Sequence, residues 1–206
     1  MKEPEPIVLV VDDDDSLCRG VERLLRSVGL NVETFVSAHE FMRYPCPAGP
    51  ACLVLDLAMP GASGLELQRA LKTRASGLPI VFLTGHGDIP MSVRAMKDGA
   101  VDFLTKPVED IQLIAVIEQA IRTGAEMRER AVEIQHLRER EAMLTPRERE
   151  VMGLVVTGML NKQIASELGV GEKMVKVHRG RVMEKMRAKS LAELVRLADE
   201  GGVVLV

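Results

Sequence analysis

The sequence predicts an α/β fold, a doubly wound five-stranded parallel sheet, followed by a long helix and a small all-α unit. Three observations lead there. Five short apolar runs alternate with amphipathic stretches in the first half of the chain. Three-to-four apolar spacing then continues from residue 111 to about residue 142, where a sheet domain should already have ended. Beyond it, closely spaced helix-start and turn signals mark a separate helical unit. The length of 206 residues agrees, since it favours one domain of ordinary size plus a smaller one.

The strands are expected at residues 7–11, 32–36, 52–55, 80–83 and 101–104, and the helices between them at 16–28, 38–43, 64–74 and 90–97, with a further helix starting near 109. Right-handed crossovers place such helices on both faces of the sheet. Gly29 stops the first helix, the proline-rich stretch 45–50 forms a loop before the third strand, and Met59, Pro60 and Gly61 turn the chain after Asp56. Apolar residues at 114, 117, 121, 127, 131, 134 and 137 extend the fifth helix to about Ala142, a span of roughly 48 Å at 1.5 Å per residue. Gly124 is a plausible break in it, and its narrow seam suits either a spacer or pairing with a second copy.

The last unit opens on Thr145, Pro146, Arg147 and Glu148, a cap, a first-position proline and a returning glutamate. Helix 146–157 ends at Gly158, Asn161 caps helix 162–168, Gly169 and Gly171 bracket a tight turn, and helix 172–187 follows. Helix, tight turn and basic helix is the helix-turn-helix order. A fourth helix, 191–199, carries Leu191, Leu194, Val195 and Ala198 on one side for packing or pairing.

Charge separates along the chain. Residues 1–110 hold 11 basic and 16 acidic groups, net −5, whereas residues 143–206 hold 11 and 8, net +3. Between 172 and 190 seven Lys or Arg stand against two Glu, an excess that suits a polyanion, although a solvated helix face would look the same. Cys18, Cys46 and Cys52 are odd in number and irregularly spaced, so they read as reduced packing thiols rather than a disulfide framework or zinc site. The first apolar run is too short for a signal peptide or membrane span, and the expected location is the cytoplasm.

Polar residues at the carboxyl ends of the strands converge in a parallel sheet. Here they are Asp12 and Asp13 from the first, Asp56 from the third, Thr84 from the fourth and Lys106 from the fifth. Bare carboxylates at about 4 Å repel by roughly 4 kcal/mol per pair at an effective dielectric near 20, so they protonate or recruit a cation. Magnesium fits, as a hard ion that takes a few carboxylates and keeps positions for water and phosphate oxygens. Asp14 and Asp15 read instead as a helix-start feature, favoured at the positive end of the helix dipole.

Four blocks, Val10 to Asp14, Leu55 to Gly64, Leu83 to Asp88 and Gly99 to Pro107, resemble the signature blocks of two-component response-regulator receiver domains. Leu144 to Glu150, Asn161 to Ala165 and Val175 to Arg179 resemble the LuxR/FixJ-type DNA-binding domain. The resemblance spans nearly the whole chain in the expected order. It implies a flavodoxin-like receiver with strand order 2-1-3-4-5 over residues 1–122, a helical linker over 123–142 and a helix-turn-helix DNA-binding domain over 143–206.

The resemblance also implies roles. Asp56 is the phosphoacceptor, taking a phosphoryl group from the phosphohistidine of a sensor histidine kinase. Asp13 binds magnesium directly, Asp12 mainly through water, and Asp56 and the Ala58 backbone carbonyl complete the protein ligands. Lys106 pairs with a phosphoryl oxygen, Thr84 hydrogen-bonds another, and Phe103 rotates into the space behind Thr84. His86 and Ala58 sit where the family tunes phosphate lifetime. The face of the fourth helix, fifth strand and fifth helix is expected to pair with its copy on phosphorylation, and RNA polymerase is a further partner.

On the basic helix, at about 100° per residue, Val175, Val182 and Met186 form the inward stripe, while Lys173, Lys176, Val177, Gly180, Arg181 and Arg187 point away. By resemblance Lys176 and Val177 contact bases, and Lys162, Lys173, Arg179 and Arg181 chiefly grip phosphate of promoter DNA. Two positions depart from the family pattern: Gly171 replaces a usual Ser cap, and Met174 a usual Thr. Gly180 removes a side chain where relatives often carry a polar or basic one, and His178 reads as packed or phosphate-directed.

The enzyme alternative is a phosphatase or phosphotransferase. Those enzymes carry the nucleophile on the first strand with an Asp two residues later and a Thr following, whereas here Ser16 follows four Asp. The chain is therefore read as a regulator rather than an enzyme. A receiver that acts through protein contacts alone is a second alternative, separated by salt-dependent DNA binding, and phosphorylation-independent regulation is a third, which keeps DNA binding but predicts that Asp56→Asn changes nothing in vivo.

Overall fold

The computed structural model describes residues 5–45, 47, 49–73, 77–85 and 89–201. Cys46, His86 and the expected helix end at Arg74 lie outside them. The chain separates into two compact units, Met1–Arg128 and Glu129–Val206.

In the first unit, strands β1 (Ile7–Val11), β2 (Asn31–Phe35), β3 (Ala51–Leu55), β4 (Ile80–Thr84) and β5 (Asp102–Thr105) form an all-parallel sheet in the order β2-β1-β3-β4-β5. Helices α1 (Asp15–Ser27), α2 (Ala38–Phe41), α3 (Gly64–Thr73), α4 (Ile89–Lys97) and α5 (Asp110–Ala142) follow the strands in turn. The fold class expected from the sequence is thus the observed one.

Strand alternation builds two cores. Leu9, Val11, Leu53, Leu55 and Phe82 face α2, α3 and α4, where Phe41, Leu65, Leu67, Leu71 and Ala95 meet them. Val8, Val10, Cys52, Val54, Val81, Leu83 and Leu104 face the other way, toward Cys18, Val21 and Leu25 of α1 and Leu113, Ile117 and Ala120 of α5. Both faces of the central strands are covered, which is why their sequences read as continuous apolar runs rather than alternating ones.

Asp14 caps α1, its carboxylate accepting from the backbone N–H groups of Ser16 and Leu17, and Asp15 lies in the first turn, as the helix-start reading expects. Gly29 ends that segment at a φ of 84°. Gly124 does not break α5, which continues through it. A Cβ there would lie 2.6 Å from Pro79 Cγ, so the glycine allows the helix to pack against the start of β4, and packing outweighs its low helix propensity.

The second unit holds α6 (Pro146–Val156), α7 (Asn161–Leu168), α8 (Glu172–Met186) and α9 (Leu191–Glu200) around Met152, Val155, Ile164, Val175, Val182, Met186 and Leu194. The Thr145–Glu148 capping box is present. Asn161 is not a cap: Leu160 holds that position, and its N–H donates to Gln163 Oε1 at 2.8 Å. Asn161 is thereby freed for a tertiary contact. Helix α8 ends one residue early because Arg187 adopts a left-handed φ of 55°.

Candidate functional site

Parallel pairing sets the acidic site. Val11 pairs with Leu55, so Asp12 and Asp56, the next residues on each chain, emerge side by side, and the Asp56 N–H donates to the Val11 carbonyl at 2.9 Å. Thr84 pairs with Thr105, and the Lys106 N–H donates to the Thr84 carbonyl at 2.7 Å. Four strand ends therefore deliver their polar residues to one edge.

Asp12, Asp13 and Asp56 each offer an oxygen within 4.8 Å of the others, a spacing that one small cation spans. Asp12 and Asp56 are buried, and Asp13 is exposed. Lys106 Nζ donates to Asp12 Oδ2 at 2.5 Å and to Asp56 Oδ2 at 3.2 Å, so one ammonium bridges the two buried carboxylates. Burial pushes the Asp12 carboxyl above its ordinary range, outweighing the hydrogen bonds from Lys106 and from the Asp14 N–H at 3.0 Å. Burial also pulls on Lys106, but the hydrogen bond and charge of Asp12, with those of Asp56, prevail and hold it above its usual value. The pocket is anionic by two formal charges once Lys106 is counted against the three carboxylates, an arrangement suited to a divalent oxygen-ligated cation.

Thr84 is buried at the end of β4. Phe103, paired with Phe82, packs partly buried against the core on the α2, α3 and α4 side. The exposed Ala58 donates its N–H to Asp56 Oδ1 at 3.4 Å. The Lys106–Pro107 peptide bond is cis.

Two further residues shape the site without having been singled out in the sequence. A Cβ on Gly64 would stand 2.3 Å from the Asp56 carbonyl oxygen, so only glycine lets α3 start this close to the loop after β3. The Cys18 thiol donates to the Asp12 carbonyl at 3.4 Å. Gly64 had only its motif position as a signal, and Cys18 had none, because both contacts are tertiary.

In the second unit the expected inward stripe, Val175, Val182 and Met186, is buried. Lys162, Lys173, Lys176 and Arg181 are exposed, and Val177 is 44% exposed. Arg179 is half-buried, and its Nη1 donates to Asn161 Oδ1 at 3.1 Å, tying α8 to the start of α7. His178 is half-buried, with Nδ1 enclosed. Lys185, counted above in the basic excess, points inward: its Nζ donates to Glu148 Oε2 at 2.6 Å. Arg147 Nη2 donates to the Leu168 carbonyl at 2.6 Å, fastening α6 to the last turn of α7.

Residues 8–118 match the response regulator receiver domain family, and residues 142–198 match the bacterial regulatory proteins of the luxR family. The chain is a response regulator with a LuxR-type DNA-binding domain. Nodulation protein W of Bradyrhizobium diazoefficiens is 49% identical over 197 residues, covering 96% of this chain and 87% of that one. Transcriptional regulatory protein FixJ of the same organism is 43% identical over 197 residues, covering 96% of each. Among solved structures, response regulator StyR superposes with a TM-score of 0.80 at 49% identity, covering 96% of this chain and 100% of that one. This response regulator is accordingly a transcription regulator of a two-component system, its receiver implying a kinase partner and its luxR-family unit implying DNA. Among the described residues, no helix is long and apolar enough to cross a membrane.

Proposed function

We propose that Asp56 accepts a phosphoryl group from the phosphohistidine of a sensor histidine kinase, and that the resulting acyl phosphate switches dimerisation and promoter binding. One observation carries this reading. Asp56 lies beside Asp12, Asp13 and Lys106 at the carboxyl edge of the sheet, in a chain whose other unit matches a DNA-binding family.

An Asp56 carboxylate oxygen attacks phosphorus, the P–N bond to the kinase imidazole breaks, and the imidazole nitrogen leaves with the bonding pair and is protonated. Lys106 exchanges a carboxylate oxygen for a phosphoryl oxygen and stabilises its charge. Thr84 donates its hydroxyl to another phosphoryl oxygen, and Phe103 shifts into the space behind it. Asp12, Asp13, Asp56 and the Ala58 carbonyl would hold magnesium, which when bound neutralises charge on the transferring group. Asp12, tied to Lys106 and the Asp14 amide, keeps the acidic edge in register.

The working division is a receiver over 1–122, a helical linker over 123–142 and a DNA-binding domain over 143–206. Phosphorylation promotes pairing through the face of α4, β5 and α5, where Val93, Met96 and Ile111 are exposed. On promoter DNA, Lys176 and Val177 of α8 touch bases, while Lys162, Lys173, Arg179 and Arg181 hold phosphates. The protein acts in the cytoplasm, with RNA polymerase as a further partner.

The test combines magnesium, a small acyl-phosphate donor and the wild-type and Asp56→Asn chains. The wild type is expected to gain one phosphate by mass, associate more tightly and bind duplex DNA more strongly. An adduct that persists in Asp56→Asn defeats the assignment.

A further inference from the structure

The outer face of α8 is unlike the charged surface around it. Met174 is 50% exposed and Val177 is 44% exposed. Gly180, also exposed, continues the same i, i+3 row. Lys173, Lys176 and Arg181, all exposed, flank this row, so an apolar track runs between cations on the helix of a luxR-family unit. The flanking charge selects a polyanion as the occupant, and the track then meets whatever lies between its phosphates.

Gly180 adds an independent observation. It sits in the interior of α8, where glycine is the poorest helix former after proline. A Cβ built there meets nothing within 4 Å, so no contact inside the protein requires its absence. Gly64 and Gly124 differ, since each makes room for a neighbour within this chain, while Gly20 of α1 and Gly153 of α6 are as open but are half-buried and lie off the cationic helix. A glycine whose missing side chain serves no internal packing, placed between an exposed valine and an exposed arginine, fits close approach of the helix backbone to an external ligand.

We propose that α8 reads its operator through thymine methyl groups, with Met174 and Val177 as the contacting side chains and Gly180 as the point where the helix backbone nears the groove floor. The proposal rests on α8 being the major-groove helix. The thymine C5-methyl is the one apolar group on the major-groove edge of the four bases, so it is the partner an apolar side chain can recognise. Lys173 then serves mainly affinity, while the apolar row adds a sequence preference of its own beside the base contact of Lys176.

The test uses the full chain, phosphorylated with magnesium and a small acyl-phosphate donor, and a duplex enriched from a random-sequence pool by the wild type. Each thymine of that duplex is replaced in turn by deoxyuridine, which removes only the methyl. One or two replacements should weaken wild-type binding by about 3- to 5-fold. That sensitivity should vanish at separate positions in Val177→Ala and Met174→Ala. Gly180→Ala should raise the melting temperature yet weaken binding by about 10-fold or more, whereas Gly153→Ala, at another open helical position, should raise it without affecting DNA.

Indifference of the wild type to every deoxyuridine, or full affinity in Gly180→Ala, overturns the proposal while leaving α8 in the groove if Lys176→Ala still loses affinity. Full affinity in Lys176→Ala as well removes α8 from the groove, and the reading beneath the proposal falls with it.

Discussion

Lys185 Nζ lies 2.6 Å from Glu148 Oε2, and the Glu148 side chain is only 2% exposed. The same carboxylate accepts from the Thr145 N–H at 3.0 Å, so one group both caps α6 and anchors α8. Its hydrogen bonds to Lys185 and to the Thr145 backbone hold the Glu148 pKa down at about 2, against an ordinary 4.5. A depressed carboxylate contributes stability that is complete above its unfolded value and is lost as pH falls through its folded value. The window here runs from about pH 4.5 down to about 2. Glu148→Gln should lose this dependence, and Lys185→Met, which strands a buried charge, should destabilise the helical unit by about 3–5 kcal/mol at neutral pH. Denaturation of the full chain, followed by amide exchange over residues 143–200, measures both. An unchanged acid profile in Glu148→Gln would show that the pair contributes nothing.

Lys106 occupies the acidic pocket as a competitor for any cation. Its ammonium contacts Asp12 and Asp56, two of the three carboxylates that would share magnesium. Removing that charge strengthens the field acting on a divalent ion, so Lys106→Met should bind magnesium several-fold more tightly by titration calorimetry. It should still acquire the proposed Asp56 adduct, but without the association proposed to follow in the wild type. Equal magnesium affinity in the two proteins would contradict the bridging arrangement.

What the sequence disclosed depended on how local each cause was. Asp12 and Asp56 were legible because acid directly follows an apolar run, and strand ends gather in a parallel sheet. Asp14 was legible because a cap acts within three residues of itself. Lys185 counted toward a basic excess that suits a polyanion, yet its charge is taken up inside the unit by Glu148, 37 residues away in sequence. Gly124 was misread as a break for the same reason: the atoms that require it belong to Pro79. The Asn161 position failed differently, since Leu160 takes the cap through Gln163 and leaves Asn161 to hold Arg179.

Gly64 carries a sharp expectation. Besides the Asp56 carbonyl at 2.3 Å, its Cβ would meet Phe82 Cε1 at 3.0 Å, and backbone cannot yield as the end of a long side chain can. Gly64→Ala must therefore shift either α3 or the loop bearing Asp56, costing about 1–3 kcal/mol of stability. Because the displaced segment carries Asp56, the proposed phosphoacceptor, phosphate uptake from the small donor should slow by about 10-fold or more, as small misplacements of reacting groups do. Gly61→Ala, strained by its φ of 88° but with open space around its Cβ, should lose stability with less effect on uptake. Equal uptake rates in wild type and Gly64→Ala would refute the positioning role.

The two described cysteines should be chemically silent while the protein is folded. Cys18 and Cys52 are both free and buried. Burial, with the nearby Asp12 and Asp15 charges, pushes the Cys18 thiol up to about 11, and burial alone pushes Cys52 to about 12. Since the thiolate is the reactive form, at about pH 8 the thiolate fraction of each should be at least about 100-fold below that of an ordinary exposed thiol, only partly offset by the greater nucleophilicity of a more basic thiolate. In a Cys46→Ser background, which removes the third thiol, a disulfide reagent should label nothing in the native chain and two groups after denaturation. Cys18 should label first on mild destabilisation, because its thiol donates to the Asp12 carbonyl near the sheet edge, whereas Cys52 lies at 0% exposure within β3. Rapid native labelling of Cys52 would mean that β3 is not enclosed on the α1 and α5 side.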